Sequence, residues 1–338
     1  MKAIQLTGQE ALATREVETP RPGPSDLLVR IRAAGVCETD VHIYHASFPP
    51  SRLPLTLGHE FSGEVAAVGS EVADFRLGDR VVVEPCIVCG ECRFCRAGRP
   101  NLCARLVHLG MHVDGAFAEY VVAPARNAHR LPDGASFVAG ALAEPFGCGL
   151  HGLQRARLQP GEDVLVVGDG FFGLVYTQLA RALGAGRIAV LGHHAERLAR
   201  AREQGADVAV DERDPGVAEM ATRMTEGFGP AVVVDTVGTA ASFARAVELA
   251  GQGGRIAIFG AAGRQATIEH HSILLKELDV VGALSSSDAW PELVSLLASG
   301  RIHPERLVSR VMPLDDLAEA FRLKASRAID VVKLVITP

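Results

Sequence analysis

Residues 164–173 read Val-Leu-Val-Val-Gly-Asp-Gly-Phe-Phe-Gly, and no other stretch limits the fold as tightly. Asp163 to Val167 is a short, mostly apolar run, the pattern of a strand buried on both faces of a parallel sheet. Gly168, Gly170 and Gly173 follow as G-x-G-x-x-G, and Leu174 to Leu183 continues at helical spacing. Each glycine has its own reason: a tight turn, close approach of backbone to a pyrophosphate, and close packing of helix on strand. The helix start behind them offers free N–H groups and a positive dipole end to phosphate. Glycine punctuates many loops, so the motif counts only in context. Here it lies between a strand and a helix, with more βα alternation after it, and it reads as a dinucleotide-binding loop.

A length of 338 residues suits about two domains, each with its own core. A net charge of −6 gives no electrostatic footprint for nucleic acid or an anionic membrane. No apolar run reaches the length of a membrane span, and Met1 to Gly8 lacks the apolar core of a signal peptide. The expectation is a cytoplasmic protein. In that compartment thiols stay reduced, which turns the seven cysteines toward metal rather than disulfides.

Residues 1–148 read as short β segments broken by Gly and Pro. Leu27 to Ala33, Phe61 to Val68 and Asp79 to Val83 are strand candidates, and Pro20 to Pro24 is a loop. From Asp163 to about Val281 strand and helix alternate. The strands expected there are Val164–Val167, Ile188–Leu191, Val208–Val210, Val232–Val234, Arg255–Phe259 and Asp279–Val281, which together suggest a doubly wound parallel sheet. Trp290 to Pro338 holds two helical patterns and a closing strand, Val331 to Ile336.

Cys86, Cys89, Cys92, Cys95 and Cys103 crowd into one short lobe. Tetrahedral zinc takes four soft ligands from short spacers, and C-x2-C is the usual chelating unit. Five cysteines compete for four places, and spacing alone does not say which is left out. A nucleic-acid-binding zinc ribbon is disfavoured, because only Arg93, Arg96, Arg99 and Arg105 add local positive charge and no aromatic platform accompanies them. Elsewhere in the first domain, Cys37, His59 with Glu60, and Glu144 lie on separate segments. A thiolate, an imidazole and a carboxylate suit a catalytic zinc that keeps one position open. Each alone is equally a core or structural residue.

The ordered motifs resemble the zinc-dependent medium-chain dehydrogenases, in particular their sorbitol and threonine dehydrogenase branch. They are Gly-Val-Cys-x-Thr-Asp-Val-His at 35–42, Gly-His-Glu at 58–60, Gly-Asp-Arg-Val at 78–81 and Cys-Gly-x-Cys-x-x-Cys-x-x-Gly at 89–98. Asp-Gly-x-Phe-Ala-Glu-Tyr at 114–120, Glu-Pro at 144–145 and the glycine loop continue the series. The resemblance implies an α/β protein: a GroES-like, mostly-β catalytic domain over 1–148, completed by 282–338, and a Rossmann doubly wound cofactor domain over 149–281. It also implies the metal ligands. The family's lobe has gaps of three, three and eight, which Cys89, Cys92, Cys95 and Cys103 satisfy as a structural zinc site, leaving Cys86 spare. Cys37 and His59 bind the catalytic zinc; Glu60 is a ligand in some members and a neighbour in others. Glu144 takes the place of a second cysteine and binds directly or through water. Thr39 is the hydroxyl that takes the proton first, and His42 the relay histidine at the solvent end. Members of the branch are commonly tetramers, so a homo-oligomer, tetramer or dimer, is expected.

The resemblance further implies cofactor contacts at Gly168, Gly170, Phe171, Phe172 and Gly173, after the second strand at Gly192, His193, His194 and Arg197, and at Val237 and Gly260. Two departures stand out. Glu38 occupies a place where relatives carry Gly or a basic residue near the pyrophosphate; a carboxylate there repels phosphate unless it turns away or pairs with an arginine. The second strand should end at an acid that accepts the ribose hydroxyls of NAD, yet Gly192 stands there. Losing the acid removes its repulsion toward a 2′-phosphate, and Arg197 offers a charged fork. NADP(H) is favoured over NAD(H) on that ground.

The expected function is hydride transfer between a nicotinamide cofactor and a small secondary alcohol or ketone, of polyol, sugar-like or amino-alcohol type. The competing readings are an NAD-linked threonine or sorbitol type enzyme, a zinc-free reductase, and a non-catalytic dinucleotide-binding protein on the same fold. Pocket candidates near the metal are His45, Phe48, Phe117 and Ser285 to Ser287.

Overall fold

The computed structural model describes the chain from Met1 to Pro338 apart from Pro49, Arg264, Ile268 and Glu269. The chain divides into two compact units, residues 1–145 with 287–338, and residues 146–286. The joints read from the sequence, 148/149 and 281/282, lie a few residues from these.

In the second unit six strands form one sheet, in the order Val208–Asp211, Ile188–Gly192, Val164–Val167, Val232–Asp235, Arg255–Ile258 and Asp279–Gly282. Every neighbouring pair is parallel. Parallel strands cannot be joined by a tight turn, so each connection carries a helix. In chain order these are Phe171–Ala182, Ala195–Glu203, Val217–Arg223, Ala240–Leu249 and His270–Lys276. The six strands are those expected, each ending within one residue of its reading. Leu165, Val167, Leu191, Val233 and Ile256 pack with Val217, Ala221, Ala246 and Val247 in one core. Each fully buried aliphatic of this kind contributes about 1.5–3 kcal/mol. The strand order reverses between Val164–Val167 and Val232–Asp235, and the glycine loop leaves the first of these at that switch point, where open sheets bind their ligands.

The first unit is built on a larger, mostly antiparallel sheet in the order Ala128–Arg130, Arg80–Val83, Glu60–Val68, Asp26–Gly35, Lys333–Thr337 and Val308–Pro313, with Tyr120–Pro124 also pairing Asp26–Gly35. Leu27, Val29, Ile31, Val65 and Val81 alternate into a core that Leu314, Leu317, Phe321 and Leu334 close from the C-terminal segment. The C-terminal segment departs from the reading. The closing strand begins at Lys333 rather than Val331. The strand Val308–Pro313 was not expected, because Val-Ser-Arg-Val-Met-Pro does not alternate cleanly; it owes its conformation to parallel pairing with Lys333–Thr337. Among the described residues, no helix is long and apolar enough to cross a membrane.

Candidate metal centres and cofactor loop

The first group of donors gathers where the central strand Asp26–Gly35 ends. Gly35 is paired with Glu60 on one side and Val335 on the other. Cys37 follows at once and begins the helix Glu38–Tyr44. The strand Glu60–Val68 starts with His59 just ahead of it, and Lys333 opens the strand on the opposite side. A Cβ on Gly35 would stand 2.1 Å from Glu60 Oε2, so only glycine lets the carboxylate lie across the strand end. Three distant segments are thus brought together by ladder register.

The donor atoms of Cys37, His59 and Glu60 all lie within 4.8 Å of one another. His59 is 4% exposed and its Nδ1 lies 3.3 Å from Asp40 Oδ1, a charge contact rather than an aligned hydrogen bond, and Nε2 is the ring nitrogen left to face a metal. Asp40, fully buried, also accepts the backbone N–H of Cys37 (3.0 Å) and of Gly58 (3.3 Å). One carboxylate therefore stands behind the histidine and holds the turn carrying the cysteine, a placement suited to support a metal-bound imidazole. Lys333 Nζ stands 2.7 Å from Glu60 Oε1 and 2.5 Å from Oε2. Burial opposes the charged ammonium, but Glu60 and Cys37 beside it hold the Lys333 pKa above its ordinary value. The ring of His108 meets His59 edge-on with centroids 5.3 Å apart, and burial, reinforced by His59, pushes its pKa down to about 3. A histidine that stays neutral beside the donor group adds no repulsion to a cation there.

Asp40, Lys333 and His108 were not singled out from the sequence. A carboxylate three residues into a helix that starts at Cys37 was the available signal for Asp40. Nothing local marks Lys333.

Glu144 is buried at the start of the helix Ala143–Arg155 but outside the group whose donors lie within 4.8 Å. Its charge still reaches the site, since it helps raise the pKa of Lys333. Thr39 is half-buried in the first turn after Cys37, and His42, exposed, has Nδ1 3.2 Å from Ser47 Oγ. Glu38 finds a lysine rather than an arginine: Lys324 Nζ lies 3.7 Å from its Oε2. Of the pocket candidates, Phe117 is a core residue, fully buried with its ring 5.9 Å from that of Phe321. His45 is paired to Glu10 at 2.7 Å. Ser286 and Ser287 are buried, whereas Phe48 is exposed.

The second group is the cysteine lobe. Cys89, Cys92, Cys95 and Cys103 bring their sulfurs within 4.8 Å of one another, and Cys86 is outside the group, paired with His108 across a short strand ladder. Four sulfurs at about 2.3 Å from a tetrahedral zinc stand about 3.8 Å apart. The separations Cys89–Cys95, Cys92–Cys95 and Cys89–Cys103 are 3.9, 3.5 and 3.5 Å. Backbone N–H groups of Cys92 and Arg105 point at Cys89 and Cys103 sulfurs, both at 3.4 Å, as expected around thiolates. The donor set fits zinc.

In the glycine loop the three glycines differ as their roles require. Gly168 has φ +113°, and a Cβ there would meet Thr236 Oγ1 at 2.4 Å. A Cβ on Gly173 would stand 2.0 Å from the Gly168 carbonyl oxygen, so helix and loop touch only without a side chain. Around Gly170 nothing lies within 4 Å of such an atom. That open face is where phosphate can approach backbone. Phe171 and Phe172 begin the helix, with Phe172 packed on Phe259 at 4.4 Å. Val237 and Gly260 lie on touching turns: a Cβ on Gly260 would be 2.3 Å from the Val237 carbonyl carbon. Gly192, His193 and His194 lead into the helix Ala195–Glu203, with Arg197 in its first turn.

Comparison with known proteins agrees with this architecture. Residues 23–133 match the alcohol dehydrogenase GroES-like domain, and residues 172–299 match the zinc-binding dehydrogenase domain. A sorbitol dehydrogenase from Halalkalibacterium halodurans is 32% identical over 100% of this chain and 99% of its own. Two solved structures each match with TM-score 0.93 over 100% of this chain and 99% of theirs. One is a putative zinc-binding dehydrogenase from Sinorhizobium meliloti 1021 bound to NADP, 37% identical. The other is an alcohol dehydrogenase from Escherichia coli CFT073 complexed with NADH, 31% identical.

Proposed function

Since the chain belongs to the zinc-dependent medium-chain dehydrogenases, in the branch of sorbitol and threonine dehydrogenases, we propose that it interconverts a secondary alcohol and its ketone, preferring NADP(H). As a member of that family it is a zinc-dependent, NAD(P)-dependent alcohol dehydrogenase. The observation that carries the site assignment is the convergence of Cys37, His59 and Glu60, with Asp40 behind the histidine.

Cys37 and His59 are the two donors to the catalytic metal. Glu60, with both oxygens against Lys333, remains its neighbour, and Glu144 closes the set directly or through water. Zinc held there would lower the pKa of a coordinated hydroxyl, and a bound nicotinamide would supply the hydride acceptor. Thr39 accepts the substrate proton, and His42, exposed at the helix surface, passes a proton on to solvent. Cys89, Cys92, Cys95 and Cys103 hold the structural zinc. A substrate of polyol, sugar-like or amino-alcohol type suits a site with this many carboxylates, and the sorbitol dehydrogenase relative supports that class. The NADP(H) preference is supported by glycine at 192 and by the NADP-bound relative.

The test is a panel of secondary alcohols, polyols and amino alcohols with NADP and NAD, run before and after chelation and after zinc is restored. Zinc-dependent oxidation of a secondary alcohol is expected. Dinucleotide binding with no turnover of any member would favour a non-catalytic protein, and turnover that survives complete zinc removal would favour a zinc-free reductase.

A further inference from the structure

At the end of the strand Ile188–Gly192 the carboxylate that binds ribose in NAD enzymes is absent, and its space is filled from the glycine loop. A Cβ on Gly192 would lie 2.4 Å from Asp169 Cβ and 2.6 Å from its Oδ2. Real atoms do not come that close, so Asp169 is what holds residue 192 to glycine. The Asp169 side chain is only 9% exposed, and a single oxygen takes three donors. The backbone N–H groups of His193 and His194 each donate to Oδ2 at 2.8 Å, and His194 Nδ1 lies 3.1 Å from the same atom.

An imidazole whose Nδ1–H is spent on a carboxylate has its tautomer and ring plane set by that bond. Nε2, on the far edge of the ring, is then the nitrogen left for a ligand, donating to an anion from the imidazolium, in which both ring nitrogens carry a proton, and the His194 side chain is 37% exposed. The other carboxylates at this end of the sheet are already engaged. Asp211 takes two nitrogens of Arg213, and Glu212 lies 3.1 Å from His193 Nε2.

We propose that Asp169 is a positioning residue for cofactor choice: it holds His194 through Nδ1–H so that Nε2–H of the imidazolium donates to the 2′-phosphate of NADP(H). This rests on the NADP(H) reading above and deepens it. The acid has not been lost from the site so much as moved one loop away and turned inward. There it accepts hydrogen bonds from the ring and from two N–H groups at the start of the helix Ala195–Glu203, and the ring meets the ligand in its place.

The test uses full-length wild type, His194→Asn and Asp169→Asn. Dissociation constants are read for NADPH and NADH by nicotinamide fluorescence, and for 2′-AMP and 5′-AMP by calorimetry. Asparagine puts its amide nitrogen where Nδ1 stands, so His194→Asn keeps the bond to Asp169 and lacks only the outer nitrogen. It is expected to weaken NADPH and 2′-AMP about tenfold or more, the effect of one charge-assisted hydrogen bond, and NADH by less than about twofold. Asp169→Asn weakens NADPH in the same direction by a smaller factor. His194→Gln, whose amide nitrogen reaches the Nε2 position, restores part of the NADPH binding, and thermal midpoints check that each variant folds. An unchanged NADPH-to-NADH ratio in His194→Asn overturns the proposal. So does an Asp169→Asn variant that loses NADH as strongly as NADPH, because Asp169 would then be a ribose ligand itself. The wild-type ratio judges the cofactor reading separately. If wild type binds NADH tighter while His194→Asn still lowers the ratio, that reading falls and the role of His194 stands.

Discussion

Lys333 and Glu60, 273 residues apart in the chain, form an ion pair in which the side chains are 2% and 1% exposed. Such a pair has already met the desolvation of both charges, so removing one partner leaves the other charged and buried, at a cost of about 3–5 kcal/mol. Lys333→Met is therefore expected to lower unfolding free energy by about that amount, measured by denaturant titration. The double variant Lys333→Met/Glu60→Gln should recover most of it. Additive losses in the double variant would mean the two groups do not depend on each other.

Asp40 lies 3.3 Å from His59 Nδ1 and holds the turn of Cys37 through its backbone N–H. Removing a carboxylate of this kind costs about 10–100-fold in metal affinity or activity. With Asp40→Ala, dialysis against a graded chelator series should strip one zinc at a concentration at least about tenfold lower than in wild type. A second zinc, proposed for the cysteine lobe, should leave at an unchanged concentration. Simultaneous loss of both would place Asp40 in the general stability of the unit instead.

The lobe separates its cysteines by geometry. Cys95→Ala should remove one zinc from the purified protein, read by elemental analysis, because Cys95 Sγ lies within 3.9 Å of Cys89 and 3.5 Å of Cys92. Cys86→Ala should keep the full complement, since Cys86 lies outside the cluster. A Cys86 variant short of zinc would reverse the assignment.

Much of this molecule was legible because its signals are local. The sheet of the second unit is a succession of short apolar runs, and a strand buried on both faces has no other way to be written. The glycine loop and the spacing of Cys89, Cys92, Cys95 and Cys103 are likewise contained in a few residues. What stayed hidden depends on partners far along the chain. Glu38 had no account until the helix Leu317–Ala325 brought Lys324 beside it. Gly192 read as a missing acid, and only the fold reveals that Asp169 occupies the same space. Phe117, a pocket candidate in the sequence, belongs to the core against Phe321.

Thr39 is the proposed first proton acceptor, and general acid–base steps of this kind are worth about 10²–10⁴-fold. Thr39→Val keeps size and branching and removes only the hydroxyl. It is expected to lower kcat within that range while NADPH affinity and zinc content stay as in wild type. Near-normal kcat at saturating substrate would remove Thr39 from the proton path.

His129 offers a pH test away from the metal. Its ring stacks on Trp290 with centroids 5.1 Å apart and planes 6° from parallel, and its buried Nε2 has no hydrogen-bond partner among the described residues. Burial alone holds its pKa below the ordinary 6.5. The unfolded chain therefore takes up this proton first as pH falls, so folding stability rises with pH in that window and declines below about 6.5. The decline continues until the folded imidazole protonates as well, with a slope approaching about 1.4 kcal/mol per pH unit from this one group. His129→Phe keeps the stacked ring and removes both the titration and the unpartnered nitrogen. Above pH 7.5 the variant should equal wild type or exceed it by about 1 kcal/mol, the order of cost of an unpaired buried polar atom. Below pH 6.5 the gap should widen in favour of the variant, and taking the difference cancels the titration of every other histidine. Two parallel stability curves across this range would mean that His129 is protonated as readily in the fold as in the unfolded chain.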